Sequence, residues 1–278
     1  MEMNKIGVVV LNFKNYIETI QCVNSIIEQE NVDLKVVIVE NGSQNESYEK
    51  LKSEFSENSN ITILKNTTNL GYAKGNNIGI KFLRNLGYDF IVICNSDVRF
   101  STKKILDTMF KHNENSIGTM IPIIRNLDGS IEMRAQYRKR FFTLRIIKEL
   151  LRMQKPFKTI KNDDKSNNEM EFLNPGVQND YYVITGSIFA LTPSFFKYYK
   201  GLYSGTFLYV EELATLILVY KARLKTAIVD TDYVIHKGGA STSNDLKPGT
   251  IQKNKMIANS ARKVMKLVFF PRTIISKL

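Results

Sequence analysis

Residues 6–13 read Ile-Gly-Val-Val-Val-Leu-Asn-Phe, an unbroken β-branched run with no polar alternation. A strand of that kind is buried on both faces, so its sheet must be covered by helices on both sides. The following residues, 16–30, place Ile17, Ile20, Val23, Ile26 and Ile27 at helical spacing. Residues 34–39 (Leu-Lys-Val-Val-Ile-Val) give a second buried strand, 46–57 a polar helix, 61–65 a strand, 69–86 a helix, and 89–94 (Asp-Phe-Ile-Val-Ile-Cys) a fourth strand. Strand alternating with helix predicts an α/β fold with a mostly parallel sheet and right-handed crossovers.

Beyond residue 95 the pattern loosens. A helix is expected over 103–112. Residues 131–172 are basic, aromatic and polar, with no strand-like run. A strand is expected over 181–191 and a helix over 207–224, entered through Glu211-Glu212. A last strand is expected over 226–236, ending at His236, and a basic amphipathic helix over 251–268. No internal repeat is visible. The reading is one domain over 1–245, with 131–172 as a basic insertion on the acceptor or membrane side, and a basic C-terminal appendage over 246–278.

The formal net charge of +12 and pI near 9.5 point to an anionic partner. Cys22 and Cys94 lie inside apolar runs, far apart in sequence and without metal-type spacing, so they read as buried free thiols in a reducing compartment. The N-terminus enters a short strand rather than a signal peptide, and no window of about 18 apolar residues exists. The expectation is a cytoplasmic protein.

In open parallel α/β sheets ligands bind outside the carboxyl ends of the strands. The polar residues there are Asn12, Glu40-Asn41, Asn69-Leu70-Gly71 and Asn95-Ser96-Asp97. Each also suits a turn, since Asn and Asp favour turns. A carboxylate at the mouth of such a crevice suits Mg²⁺ or Mn²⁺, which take one or two carboxylates plus a ligand's phosphates. His236 ends an apolar strand and precedes Lys237-Gly238-Gly239-Ala240-Ser241; it reads either as a structural histidine or as a metal ligand completing a site with Asp97. His112 sits in a polar helix end and reads as solvated. Glu211-Glu212 interrupts an apolar stretch, where two acids favour a helix N-terminus or supply a general base.

The ordered set of motifs resembles the family 2 glycosyltransferases of the GT-A fold, in particular a rhamnosyltransferase-like bacterial branch. The segments that carry the resemblance are Val-Val-Leu-Asn-Phe at the first strand, Val-Glu-Asn-Gly-Ser (39–43), Asn-Leu-Gly-Tyr-Ala-Lys-Gly-Asn-Asn-Ile-Gly (69–79), Asn-Ser-Asp (95–97), Thr-Gly-Ser-Ile-Phe-Ala-Leu (185–191), Phe-Leu-Tyr-Val-Glu-Glu (207–212) and Val-Ile-His-Lys-Gly-Gly-Ala-Ser (234–241). The resemblance implies a Rossmann-like nucleotide-binding sheet. It implies that Asn12, Glu40, Asn41, Asn69, Gly71, Lys74, Asn95 and Ser96 line the nucleotide-sugar pocket, with Gly71 and Gly75 letting backbone approach the ligand. Asp97 and His236 would hold Mn²⁺ or Mg²⁺. Glu212 would be the base, with Glu211 as the alternative. The family usually has Asp where Glu40 and Glu212 stand, and Ala214 replaces another frequent acid. The implied reaction is an inverting transfer from a UDP- or dTDP-sugar to a saccharide acceptor, expected to be lipid-linked, in bacterial cell-surface polysaccharide assembly such as a capsule.

Residues 135–161 carry nine Lys or Arg and one acid, and 252–278 carry seven and none, both interleaved with apolar side chains. Such stretches suit an anionic bilayer surface, or an apolar stripe packed on the domain. No nucleic-acid motif is present, so no nucleic-acid partner is expected. Peripheral placement on the inner face of the plasma membrane follows. The competing readings are a catalytically silent nucleotide-sugar or partner-binding module and a sugar nucleotidyltransferase. The latter wants a Gly-rich basic loop after the first strand, where Asn12-Phe13-Lys14-Asn15 stands.

Overall fold

The computed structural model describes residues 3–132, 136–137, 142–155, 181–238 and 251–272. Residues 239–241 of the glycine-rich ending, much of the basic stretch (133–135, 138–141 and 156–180) and residues 273–278 of the tail lie outside the described residues.

The expected alternation is present: β1 (Asn4–Asn12), α1 (Tyr16–Ile27), β2 (Val32–Glu40), α2 (Ser47–Phe55), β3 (Ile61–Lys65), α3 (Tyr72–Asn85) and β4 (Phe90–Asn95). Then come β5 (Val98–Phe100), α4 (Ile105–Lys111), β6 (Ile117–Asn126), β7 (Gln136–Tyr137), α5 (Phe142–Gln154), β8 (Tyr181–Tyr182), β9 (Ile188–Leu191), α6 (Pro193–Phe196), α7 (Glu211–Lys221), β10 (Lys225–His236) and α8 (Ile251–Phe269). One eight-stranded sheet has the order β3-β2-β1-β4-β9-β6-β10-β5, and β7 pairs with β8 apart from it. The half β3-β2-β1-β4 is parallel. In the other half β9 runs antiparallel between β4 and β6, β10 runs parallel to β6, and β5 closes the edge antiparallel to β10.

Gly7, Val9 and Leu11 share one face of β1 by strand alternation, and α3 lies on that face. A Cβ at Gly79 would stand 2.6 Å from Val9 Cγ1, and one at Gly75 2.7 Å from Leu11 Cδ1, so small residues set the helix–sheet distance. α1 covers the opposite face, where the Thr19 hydroxyl donates to Asn12 Oδ1 at 2.7 Å. Its buried stripe is Thr19, Cys22, Val23 and Ile26, while Ile17 is exposed and Ile27 lies at the margin, one step off the expected face. Cys22 and Cys94 are free and buried as expected.

Three departures matter. The expected strand 181–191 is broken into β8 and β9, because residues 183–187 bend at the carboxyl end of β4, where the Asn95 N–H donates to the Ser187 carbonyl at 2.7 Å. β6 and β5 were not foreseen. β6 carries Pro122, a residue that argues against an interior strand. Here it sits where the register with β10 shifts, between Ile121↔Ile228 and Ile123↔Tyr233, and beyond the two residues paired to β9. α8, read from sequence as an appendage, contributes Ala261, Val264 and Leu267 to the main core and packs on α5 and α7. Among the described residues no helix is long and apolar enough to cross a membrane.

Candidate active site

The carboxyl ends of β1 and β2 present two buried polar groups. Asn12 spends its Oδ1 on Thr19, while its Nδ2 is buried without a partner among the described residues. Glu40 accepts the Ser43 N–H at 2.8 Å through Oε1, and its Oε2 is likewise buried and unpartnered. Buried polar atoms are nearly always satisfied, so an adjacent donor and acceptor left over mark a place for a ligand. Asn41 differs. Its Nδ2 donates to Asn69 Oδ1 (3.0 Å) and the Gly71 carbonyl (3.3 Å), and its Oδ1 accepts from Asn66 Nδ2 (3.0 Å) and the Leu70 N–H (3.2 Å). Asn41 and Asn69 therefore shape the 66–71 loop. Gly71 has φ +83°, and a Cβ there would lie 2.2 Å from the Phe207 carbonyl, which accepts the Tyr72 N–H at 2.8 Å. At Gly71 the backbone lies against Phe207, and at Gly75 against Leu11 and Asn41. Lys74 is exposed, half a turn into α3.

Asp97 and His236 are 139 positions apart and come together through β5. The chain leaves β4, turns at Ser96-Asp97, and β5 pairs antiparallel with the end of β10 in the register His236↔Val98. The Lys237 N–H donates to the Asp97 carbonyl at 3.0 Å, fixing the junction. Asp97 Oδ2 then stands 3.6 Å from His236 Nε2, and Glu132 Oε2 stands 3.6 Å from His236 Nδ1. The imidazole lies between two carboxylates, and first Asp97, then Glu132, hold its pKa up to about 9 against the opposing effect of burial. Glu132 also accepts the Thr185 hydroxyl at 3.1 Å. It was not foreseen. Its signal was a lone acid just after the turn residues Asp128-Gly129, which fold residues 130–132 back on β6.

The third component enters on α7. Tyr209 and Val210 both have φ +71°, a region costly for a β-branched residue. Neighbouring contacts hold this kink: Ser260 Oγ donates to the Leu208 carbonyl at 2.8 Å, and Phe207 is tied to Tyr72. The kink opens α7 at Glu211-Glu212. A Cβ at Gly186 would stand 2.6 Å from Glu212 Oε1, so the Glu212 carboxylate lies against the bare backbone of Gly186. The Gly186 carbonyl accepts the Tyr72 hydroxyl at 2.7 Å. Burial holds the Tyr72 phenol well above its ordinary pKa, and Glu212, Glu211, Cys94 and Asp97 add to that. Burial, then Glu212, push Glu211 up to about 7, with Thr206 opposing.

A chain with net charge +12 therefore gathers Asp97, Glu132, Glu211 and Glu212 in one region. Among the described residues no group of three or more His, Cys, Asp or Glu is arranged to hold a metal by itself. One carboxylate and one imidazole face each other at Asp97 and His236, which fits a divalent ion whose other positions are filled by phosphate oxygens and water.

Comparison with known proteins identifies the family and the fold. The model of Glycosyl transferase family 2 matches residues 7–169. No curated protein shows significant similarity to the sequence. Among solved structures, a mannosyltransferase from Pyrobaculum calidifontis in complex with GDP-Man and Mn²⁺ superimposes with TM-score 0.56 at 11% identity, over 95% of this chain and 72% of that one. S. aureus TarS 1–349 gives TM-score 0.57 at 13% identity, over 84% of this chain and 60% of that one. TarS 1–349 in complex with UDP gives 0.56 at 12% identity, over 95% and 64%. The structural likenesses speak for the GT-A architecture, and the sequence match spans more than half of the chain, so the chain belongs to glycosyl transferase family 2.

Proposed function

We propose that the protein is an inverting, metal-dependent glycosyltransferase that moves a sugar from a nucleotide-sugar donor to a saccharide acceptor. The observation that carries this reading is the convergence of Asp97, His236 and Glu212 from β4, β10 and α7 beside the open polar ends of β1 and β2. The similar mannosyltransferase holds GDP-Man and Mn²⁺, and a TarS structure holds UDP.

In this reading Asn12 Nδ2 and Glu40 Oε2 supply one donor and one acceptor to the base. Uracil, thymine and guanine all offer an N–H beside a carbonyl, so this pair does not choose among them. Asn41 and Asn69 hold the loop that walls the ribose side, and Asn95 and Ser96 line the floor. Asp97 and His236 would hold Mn²⁺ or Mg²⁺, and such an ion would neutralise charge on the departing diphosphate. Glu132 Oε2, 3.6 Å from His236 Nδ1, would orient the ring so that Nε2 is the nitrogen offered to the ion, as carboxylates commonly do for ligating histidines. Glu212 takes the proton from the acceptor hydroxyl as that oxygen attacks the anomeric carbon from the face opposite the leaving group. Glu211, buried beside it, is the alternative base. Most of the rate enhancement then comes from positioning and electrostatic stabilisation.

A rhamnosyltransferase-like role with a UDP- or dTDP-sugar and a lipid-linked acceptor, in capsule-type polysaccharide assembly, extends this reading. So does peripheral attachment to the inner face of the plasma membrane. α5 buries Phe142, Ile146 and Leu150 against the protein and leaves Leu144 (70% exposed) and Leu151 outside beside Arg145, Lys148 and Arg152.

The test is a panel of nucleotide sugars scored by thermal stabilisation with and without Mn²⁺, followed by donor hydrolysis. One donor should stabilise the protein and be hydrolysed only with metal, and Asp97→Ala should lose both effects. Glu212→Gln should bind that donor yet fail to transfer its sugar. Stabilisation without turnover in the unaltered chain would instead mark a silent binding module. No stabilisation by any donor would sink the proposal.

A further inference from the structure

At the end of α7 remote from Glu211 lies a cavity of about 690 Å³ whose lining includes Lys221, Arg223, Arg272 and Tyr198. Nothing in the proposed chemistry uses it. Among the described residues none of the three cations pairs with a carboxylate. Lys221 donates to the Val268 and Phe270 carbonyls at 3.0 and 2.8 Å, which fixes its ammonium and accounts for two of its three donors. The Arg272 guanidinium lies over the Tyr198 ring, 4.6 Å from its centre, and Arg272 is exposed.

Neutralising helix C-termini explains Lys221 but not the arginines. The end of α7 is already closed by backbone, with the Ala222 N–H on the Leu218 carbonyl and the Leu224 N–H on the Val219 carbonyl. Arg223 holds the left-handed position of that cap, φ +59°, where glycine costs least. A fold built for stability alone would place glycine there. The position instead carries an exposed arginine that lines a cationic cavity. The chain that supplies Arg272 also exposes Phe269 (68%) and Phe270 (36%) at the same end of α8. Adjacent exposed aromatics beside cations suit the headgroup boundary of a bilayer, and a cavity of this size is larger than a lone phosphate ion needs.

We propose that this cavity receives the phosphate of an anionic phospholipid headgroup, with Phe269 and Phe270 entering the interface beside it. The inference rests on the membrane-attachment reading above and names its site. α7 has 11 residues, so the lipid phosphate and Glu211 are separated by about 16 Å along its axis.

The experiment is flotation of the full chain with phosphatidylcholine vesicles, with and without phosphatidylglycerol, at physiological ionic strength. The protein should float only with phosphatidylglycerol. Arg223→Gln with Arg272→Gln should weaken partitioning about thirtyfold, about fivefold for each basic side chain at an anionic surface. Phe269→Ser with Phe270→Ser should weaken it too, and all variants should keep the melting temperature and donor hydrolysis of the parent. If the parent floats and the arginine pair floats equally well, the membrane reading stands and this site is wrong. If the parent does not float, both fall. If millimolar inorganic phosphate abolishes flotation, the cavity is a soluble-phosphate site and the lipid assignment is overturned.

Discussion

Glu211→Gln should make the protein more stable at pH 8 while leaving it nearly unchanged at pH 5. Glu211 is only 7% exposed, and its pKa stands at about 7 against an ordinary 4.5. A carboxyl whose pKa is raised by folding favours the folded state when protonated. That stability is fully present below pH 4.5 and is lost as pH rises through 7. At about 1.4 kcal/mol per pH unit, the rise corresponds to about 3 kcal/mol missing at pH 8 and under about 1 kcal/mol at pH 5. Glutamine keeps the shape of the side chain and cannot ionise, so it removes the loss. The assay is urea unfolding of parent and variant at both pH values, with chelator present so that no ion interferes. A stabilisation that does not change between pH 5 and pH 8, or a variant less stable than the parent at pH 8, would refute the claim that burial and Glu212 act on this carboxyl as described.

Two further outcomes test the site. Gly186→Ala places a methyl 2.6 Å from Glu212 Oε1; the displaced carboxylate should lower kcat about a hundredfold with little change in donor affinity, as steady-state kinetics will read. Glu132→Gln should weaken Mn²⁺ binding about 10- to 100-fold, measured by titration of the ion by electron paramagnetic resonance, because His236 loses the carboxylate that orients it.

The parallel half of the sheet was legible because strands buried on both faces declare themselves as apolar runs, as in β1, β2 and β4. The second half was not. β5 is three residues long and has meaning only against β10. β6 hides behind Pro122, acceptable solely because the β10 register slips there. Asp97 and His236 could be named from their places at strand ends, but their 3.6 Å separation depends on β5, which sequence reasoning did not see. Glu132 stands at the edge of a basic stretch with no periodicity, and Gly186 matters only because Glu212 arrives over it from α7. The four side-chain hydrogen bonds of Asn41 fall on chain segments that meet only after folding, so its part in holding the 66–71 loop was not legible.

The hairpin-like meeting of β5 with β10 has a consequence for how the molecule is made. During synthesis Asp97 is finished long before His236, and their junction cannot form until the last strand of the sheet has been delivered. A nascent chain with only its first four strands in place holds the carboxylate without the imidazole. If these two side chains hold an ion as proposed, its uptake followed during refolding should lag behind formation of the parallel half.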